Sequence, residues 1–133
     1  MRAWLLVLGG CLAPYRAGTL AHPVGDCLDV EALTGARSEA VGPVLVIRLG
    51  NRCDHSAVVD LASLRVVARD AHGIAVELTA FDPRAEIRPH RIDAFGGGEE
   101  WIEYAPAGPY AELEVDIGRV AGQAAAPAWV RIQ

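Results

Sequence analysis

Three cysteines (Cys11, Cys27, Cys53) and four histidines (His22, His55, His72, His90) are the side chains in this chain most able to do chemistry. Two thiols can close into a disulfide, whereas two thiolates of a metal site would need more soft ligands than the sequence shows. The histidines have Asp26, Asp54 and Asp82 as possible oxygen partners, but no pair shows the close spacing of a preformed metal site. Methionine occurs only at position 1, which excludes a thioether copper site. Asp54-His55-Ser56 holds the three residue types of a hydrolase triad. Adjacent residues cannot align nucleophile, base and orienting acid, so the stretch reads as a polar loop after Cys53. Serine occurs only at 38, 56 and 63, never in a Gly-x-Ser-x-Gly turn. Glu99, Glu100 and Glu103 offer carboxylates for calcium or for acid–base work, but a solvated strand face explains them. Gly96-Gly97-Gly98 precedes no Lys and reads as a flexible hairpin tip, not a phosphate cradle. Trp101, Tyr104, Tyr110 and Trp129 read as core packing with polar tips rather than as a ligand platform. Asp82, Arg84, Glu86 and Arg88 alternate in sign around Pro83 and read as structural ion pairs, Arg84 or Arg88 meeting Glu86 or Glu103. No catalytic residue, metal site or cofactor is expected from these patterns.

The amino terminus is more specific. Met1-Arg2 is followed by an apolar run, Ala3 to Cys11, that ends at Pro14-Tyr15-Arg16. As a helix, Ala3 to Ala13 spans only about 16 Å against roughly 30 Å of hydrocarbon, so the run is an export signal rather than a membrane span. Leu8-Gly9-Gly10-Cys11 resembles the lipobox of bacterial lipoproteins. That resemblance implies a signal peptide over 1–10, diacylation of Cys11, a lipid-anchored tether over 11–25 and, with Leu12 after the cysteine, the outer membrane as destination. The rival is secretory cleavage after Thr19-Leu20-Ala21, giving a soluble periplasmic or secreted chain. With Cys11 assigned to leader or lipid, Cys27 and Cys53 remain as a pair. An oxidising compartment favours joining them, and closing a loop of about 25 residues stabilises the fold by roughly 3.5 kcal/mol.

The length of 133 residues fits one domain, here placed over 26–133. Hydrophobic residues make up 52%, but Ala supplies 23 of them, so the core is of ordinary size. All 12 basic residues are Arg, an imprint of genome composition rather than a binding signal. The net charge of −5 and the absence of a basic stripe argue against a nucleic-acid partner.

From Gly25 onward, short apolar runs alternate with Gly, Pro and Asp, the spacing of an all-β sandwich. Leu28, Val30 and Ala32 alternate in a first strand ended by Thr34-Gly35. Val44-Leu45-Val46-Ile47 reads as a central strand covered on both sides. Between Asp54 and Arg69 a helical stripe competes with β-branched runs, and strands are preferred. Asp70-Ala71-His72-Gly73 is the turn of a hairpin whose second strand alternates Ile74, Val76 and Leu78. Phe81-Asp82-Pro83-Arg84 is a second turn. Ile92–Phe95 and Glu100–Tyr104 read as another hairpin, followed by strands around Leu113–Ile117 and Trp129–Ile132. Val46-Ile47-Arg48-Leu49-Gly50-Asn51-Arg52, with Val58-Val59-Asp60-Leu61 and Leu64-Arg65-Val66, resembles bacterial immunoglobulin-like domains. That resemblance implies an antiparallel β-sandwich of about seven to nine short strands, in which a strand ends in an Asn-containing turn. The function expected is non-catalytic: a lipoprotein acting as a binding or assembly module at the cell envelope, with an unidentified protein partner taken at a sheet edge. The alternative is a small periplasmic enzyme or metal-binding protein using His and acidic residues, with His55, His90 and a carboxylate in one pocket.

Overall fold

The computed structural model describes residues 14–36, 39–80, 90–122 and 124–132. The leader, Cys11 and the Asp82–Arg88 charge alternation lie outside them. The described residues form an all-β protein whose strand pairs are all antiparallel. One sheet has the order β1 (His22–Val24), β2 (Leu28–Gly35), β3 (Val44–Asn51), β8 (Gly97–Glu103). The other has the order β10 (Trp129–Ile132), β9 (Glu112–Asp116), β5 (Arg65–Arg69), β6 (Ala75–Glu77), and β4 (Ala57–Val59) pairs with β7 (His90–Ile92).

β3 sits between β2 and β8 and is buried at every position but Arg48, as its unbroken apolar run requires. Its inward side chains Leu45, Ile47 and Leu49 join Val30 of β2 in one hydrophobic core with Val66, Leu113, Val115 and Ile132 of the other sheet. Val59 and Ile92 carry that core across the two-stranded pair. At 25 cal/mol per Å² of apolar surface, each such aliphatic side chain contributes roughly 1.5–3 kcal/mol on burial.

Between Asp54 and Arg69 the β-branched residues win: β4 and β5 flank a single 3₁₀ turn, Leu61–Ser63, which buries Leu61. The β5–β6 hairpin turns as its sequence demands. The Asp70 carboxylate accepts the N–H groups of His72 and Ile74, both at 2.9 Å, and Gly73 takes φ 83°.

Three expectations are corrected. Residues 92–104 are not a hairpin, because β7 pairs with β4 while β8 pairs with β3. Gly97 and Gly98 lie inside β8 opposite Gly50 and Leu49, and the turn is Asp93–Gly96 with Phe95 at φ 54°. The described residues form ten strands rather than seven to nine, partly because the stretch read as a tether supplies β1. The tether boundary at 25 fails further upstream as well. The Tyr15 ring lies over Gly50, and its hydroxyl donates to Asp29 Oδ2 at 2.6 Å. The fold therefore begins at or before Tyr15.

Candidate functional site

Two features stand out once the strands are in place: a covalent corner at one end of the first sheet and, on the second, an apolar edge that no strand among the described residues covers.

The corner grows from the end of β3. Asn51 is fully buried, and its side chain gathers the loop that follows. Nδ2 donates to the carbonyls of His55 (2.9 Å), Asp93 (3.1 Å) and Ile92 (3.2 Å), while Oδ1 accepts the Cys53 N–H at 2.9 Å. The Phe95 N–H donates to the Cys53 carbonyl. On the facing chain, the Arg52 N–H donates to the Cys27 carbonyl, and its guanidinium reaches the carbonyls of Gly25 and Leu28. Cys27 and Cys53 are joined, with a Cα–Cα separation of 5.2 Å. The disulfide fits an oxidising compartment, and no helix among the described residues is long and apolar enough to cross a membrane.

The disulfide has a neighbour that sequence reading set aside. His55 Nε2 lies 3.6 Å from Cys27 Sγ, and its Nδ1 lies 3.2 Å from Asp54 Oδ1. Asp54-His55-Ser56 is therefore not a hydrolase triad, since Ser56 Oγ instead accepts a hydrogen bond from Arg91. Two members of that tripeptide nevertheless serve one place, the sulfur of Cys27. His22 stands exposed on β1 and His72 in the β5–β6 turn, away from this corner. The side chain of His90 lies outside the described residues.

Beside the corner, Asp29 is almost fully buried and forms an ion pair with Arg52 Nε at 2.8 Å. Burial pushes the Asp29 carboxyl up, but donors from Tyr15 and Gly18 and the charge of Arg52 outweigh it and hold the group below its ordinary value. The same burial and hydrogen bond push the Tyr15 phenol up. Neither was legible as a site, since the pair forms only when residues 14 positions apart meet across a sheet face.

The other sequence candidates are dispersed. Hydrogen bonds from Trp101 and Arg48 hold Glu99 below the usual carboxylate range, and Glu103 accepts the Val41 N–H. Glu99 and Glu103 are thus partnered along one strand face rather than gathered into a cage. Tyr104 is buried as expected of a core residue, but Trp101, Tyr110 and Trp129 are exposed: Trp101 stands opposite Val46 in the ladder of the first sheet, and Trp129 lies under the Arg65 guanidinium on the second. The aromatic residues therefore form no single platform.

The second feature is β6. Its outward face is held by a two-pronged Arg65–Glu77 pair, with N–O distances of 3.0 and 3.2 Å. The opposite face carries Leu78, Val76 and Ile74. Leu78 reaches the core, but Val76 is 47% and Ile74 63% exposed. The Leu78 N–H donates to Val66 and the Asp70 N–H to the Ile74 carbonyl. By the alternation of an antiparallel ladder, the N–H and C=O groups of Ala75 and Glu77 then point away from β5. Among the described residues no strand pairs with that side.

No family model, curated protein or solved structure matches this chain.

Proposed function

We propose that the protein is an exported, non-catalytic binding or assembly module of the bacterial cell envelope. In this reading it is an immunoglobulin-like β-sandwich, anchored in the outer membrane through a lipid on Cys11, that accepts a strand from a partner protein along β6. The observation that carries it is the β6 edge. Outward-facing backbone groups at Ala75 and Glu77 stand beside the uncovered side chains of Ile74 and Val76. An exposed apolar edge is a template for another chain, and natural sheets usually blunt such edges with charge, proline or a bulge. A partner strand with alternating apolar residues would pair with Ala75 and Glu77 and cover Ile74 and Val76 in one step.

The anchor draws support from Tyr15. Cleavage after Ala21 would strip Tyr15 and Gly18 from Asp29, leaving a buried carboxylate with Arg52 as its remaining partner. Cleavage before Cys11 keeps both donors. Three residues separate Cys11 from Tyr15, and the four steps between their Cα atoms reach at most about 14 Å, so the lipid would hold the domain close to the bilayer rather than on a long leash.

A photo-crosslinking residue placed at position 76 in the native host tests the edge. An adduct is expected, and Ala75→Pro should abolish it, because an edge strand tolerates proline while the incoming strand loses an N–H partner. No adduct at position 76, or one indifferent to Ala75→Pro, overturns strand addition. Intact mass of the membrane-extracted protein tests the anchor separately. An acylated chain starting at Cys11 is expected, and an unmodified chain starting near His22 refutes it.

A further inference from the structure

The disulfide corner does not depend on the β6 edge, and it holds chemistry of its own. The sulfurs of Cys27 and Cys53 and a ring nitrogen of His55 all lie within 4.8 Å of one another. These are two soft ligands and one borderline ligand of the set that zinc prefers. Zinc–sulfur bonds of about 2.3 Å and zinc–nitrogen bonds of about 2.0–2.1 Å set a tetrahedral sulfur–nitrogen edge of about 3.6 Å. Cys27 Sγ and His55 Nε2 already stand 3.6 Å apart. The second ring nitrogen of His55 meets Asp54 Oδ1 at 3.2 Å, the carboxylate–histidine arrangement that orients metal-bound imidazoles. The corner is also braced independently of the covalent bond. Asn51 fixes the backbone at the Cys53 N–H and at the His55 carbonyl, and Arg52 fixes Cys27 and its neighbours.

We propose that this corner is a redox-gated zinc site: closed as a disulfide under oxidising conditions and, once reduced, binding one Zn²⁺ through Cys27, Cys53 and His55, with Asp54 as the positioning residue. The reductant is a dithiol. It passes two electrons and two protons to the Cys27–Cys53 bond, closing to its own disulfide and leaving two protein thiols. Zinc then displaces both thiol protons to solvent, forming two Zn–S bonds and one Zn–N bond, with the fourth position open to water or a substrate atom. To bind the ion, the parted sulfurs must then move to the roughly 3.8 Å edge of a tetrahedron.

The test is zinc competition against a chromophoric chelator, under argon, with full-length domain either oxidised or reduced by a phosphine. The reduced protein should bind one zinc per chain and the oxidised protein none. His55→Ala should weaken binding at least tenfold and Asp54→Asn about tenfold, the usual loss for an outer-shell carboxylate. Reduced protein that binds no more tightly than Cys53→Ser, or an affinity unmoved by His55→Ala, overturns the site. If reduction unfolds the chain, zinc must restore its β-sheet circular dichroism, and failure to do so overturns the proposal equally.

Discussion

Replacing Asn51 by alanine removes the side chain that ties the disulfide loop to the end of β7. Four hydrogen bonds disappear together: three carbonyls lose their donor, and the Cys53 N–H loses its acceptor. At about 1 kcal/mol each, the loss is about 4 kcal/mol, a large part of the roughly 5–15 kcal/mol that holds an ordinary domain together. Urea unfolding at neutral pH with the disulfide intact, followed by tryptophan fluorescence, should show the midpoint falling with little change in slope. Asn51→Asp sharpens the test because it keeps the shape. It still accepts from Cys53, but it turns a carboxylate oxygen toward three carbonyl oxygens, so at neutral pH it should cost at least as much as alanine. The carboxyl introduced there has its folded pKa raised, so the penalty is complete above that value and shrinks as acid protonates the group. A loss under about 1 kcal/mol for Asn51→Ala, or an Asn51→Asp variant as stable as wild type, would refute the role given to this residue.

Removing the disulfide by a Cys27→Ser, Cys53→Ser double substitution should cost about 3.5 kcal/mol for a separation of 26 residues, read as a lower urea midpoint, with an unchanged midpoint contradicting a closed bridge. Asp29, held below its ordinary pKa, contributes stability that is present above about pH 4 and is lost as the pH falls through its folded value. Asp29→Asn should therefore flatten the acid limb of the stability profile, whereas the exposed pairs of Glu77 and Glu99 should leave it nearly unchanged. Gly50→Ala would drive a methyl group into the Tyr15 ring, costing about 1–3 kcal/mol and speeding tryptic cleavage at Arg16; unaltered cleavage would show that the aromatic ring does not rest there.

The sequence made the strands legible but not their partners. Alternation at Leu28–Ala32 and continuity at Val44–Ile47 carry a period that depends only on which face is buried, and both runs became strands. Pairing depends instead on contacts between residues far apart in the chain. Ile92 and Trp101 read as two arms of one hairpin, yet each found an earlier strand, and Gly97 and Gly98 between them entered β8 because Gly50 and Leu49 of β3 face them closely. The same limit hid the corner. Asn51 was visible as an Asn in a turn, but its value lies in carbonyls four and about forty residues away. His55 was visible only beside Ser56, and its sulfur partner lies 28 positions back. Weighing Asp54-His55-Ser56 as a unit discarded the pair that matters, since neighbours in sequence point apart while the turn at Asn51 folds His55 back across the bridge to Cys27. A motif search over contiguous residues therefore misses this corner in principle. What could have found it is the conjunction of a cysteine pair with a histidine two residues past one member, since the covalent bond that brings the sulfurs together carries the imidazole with it.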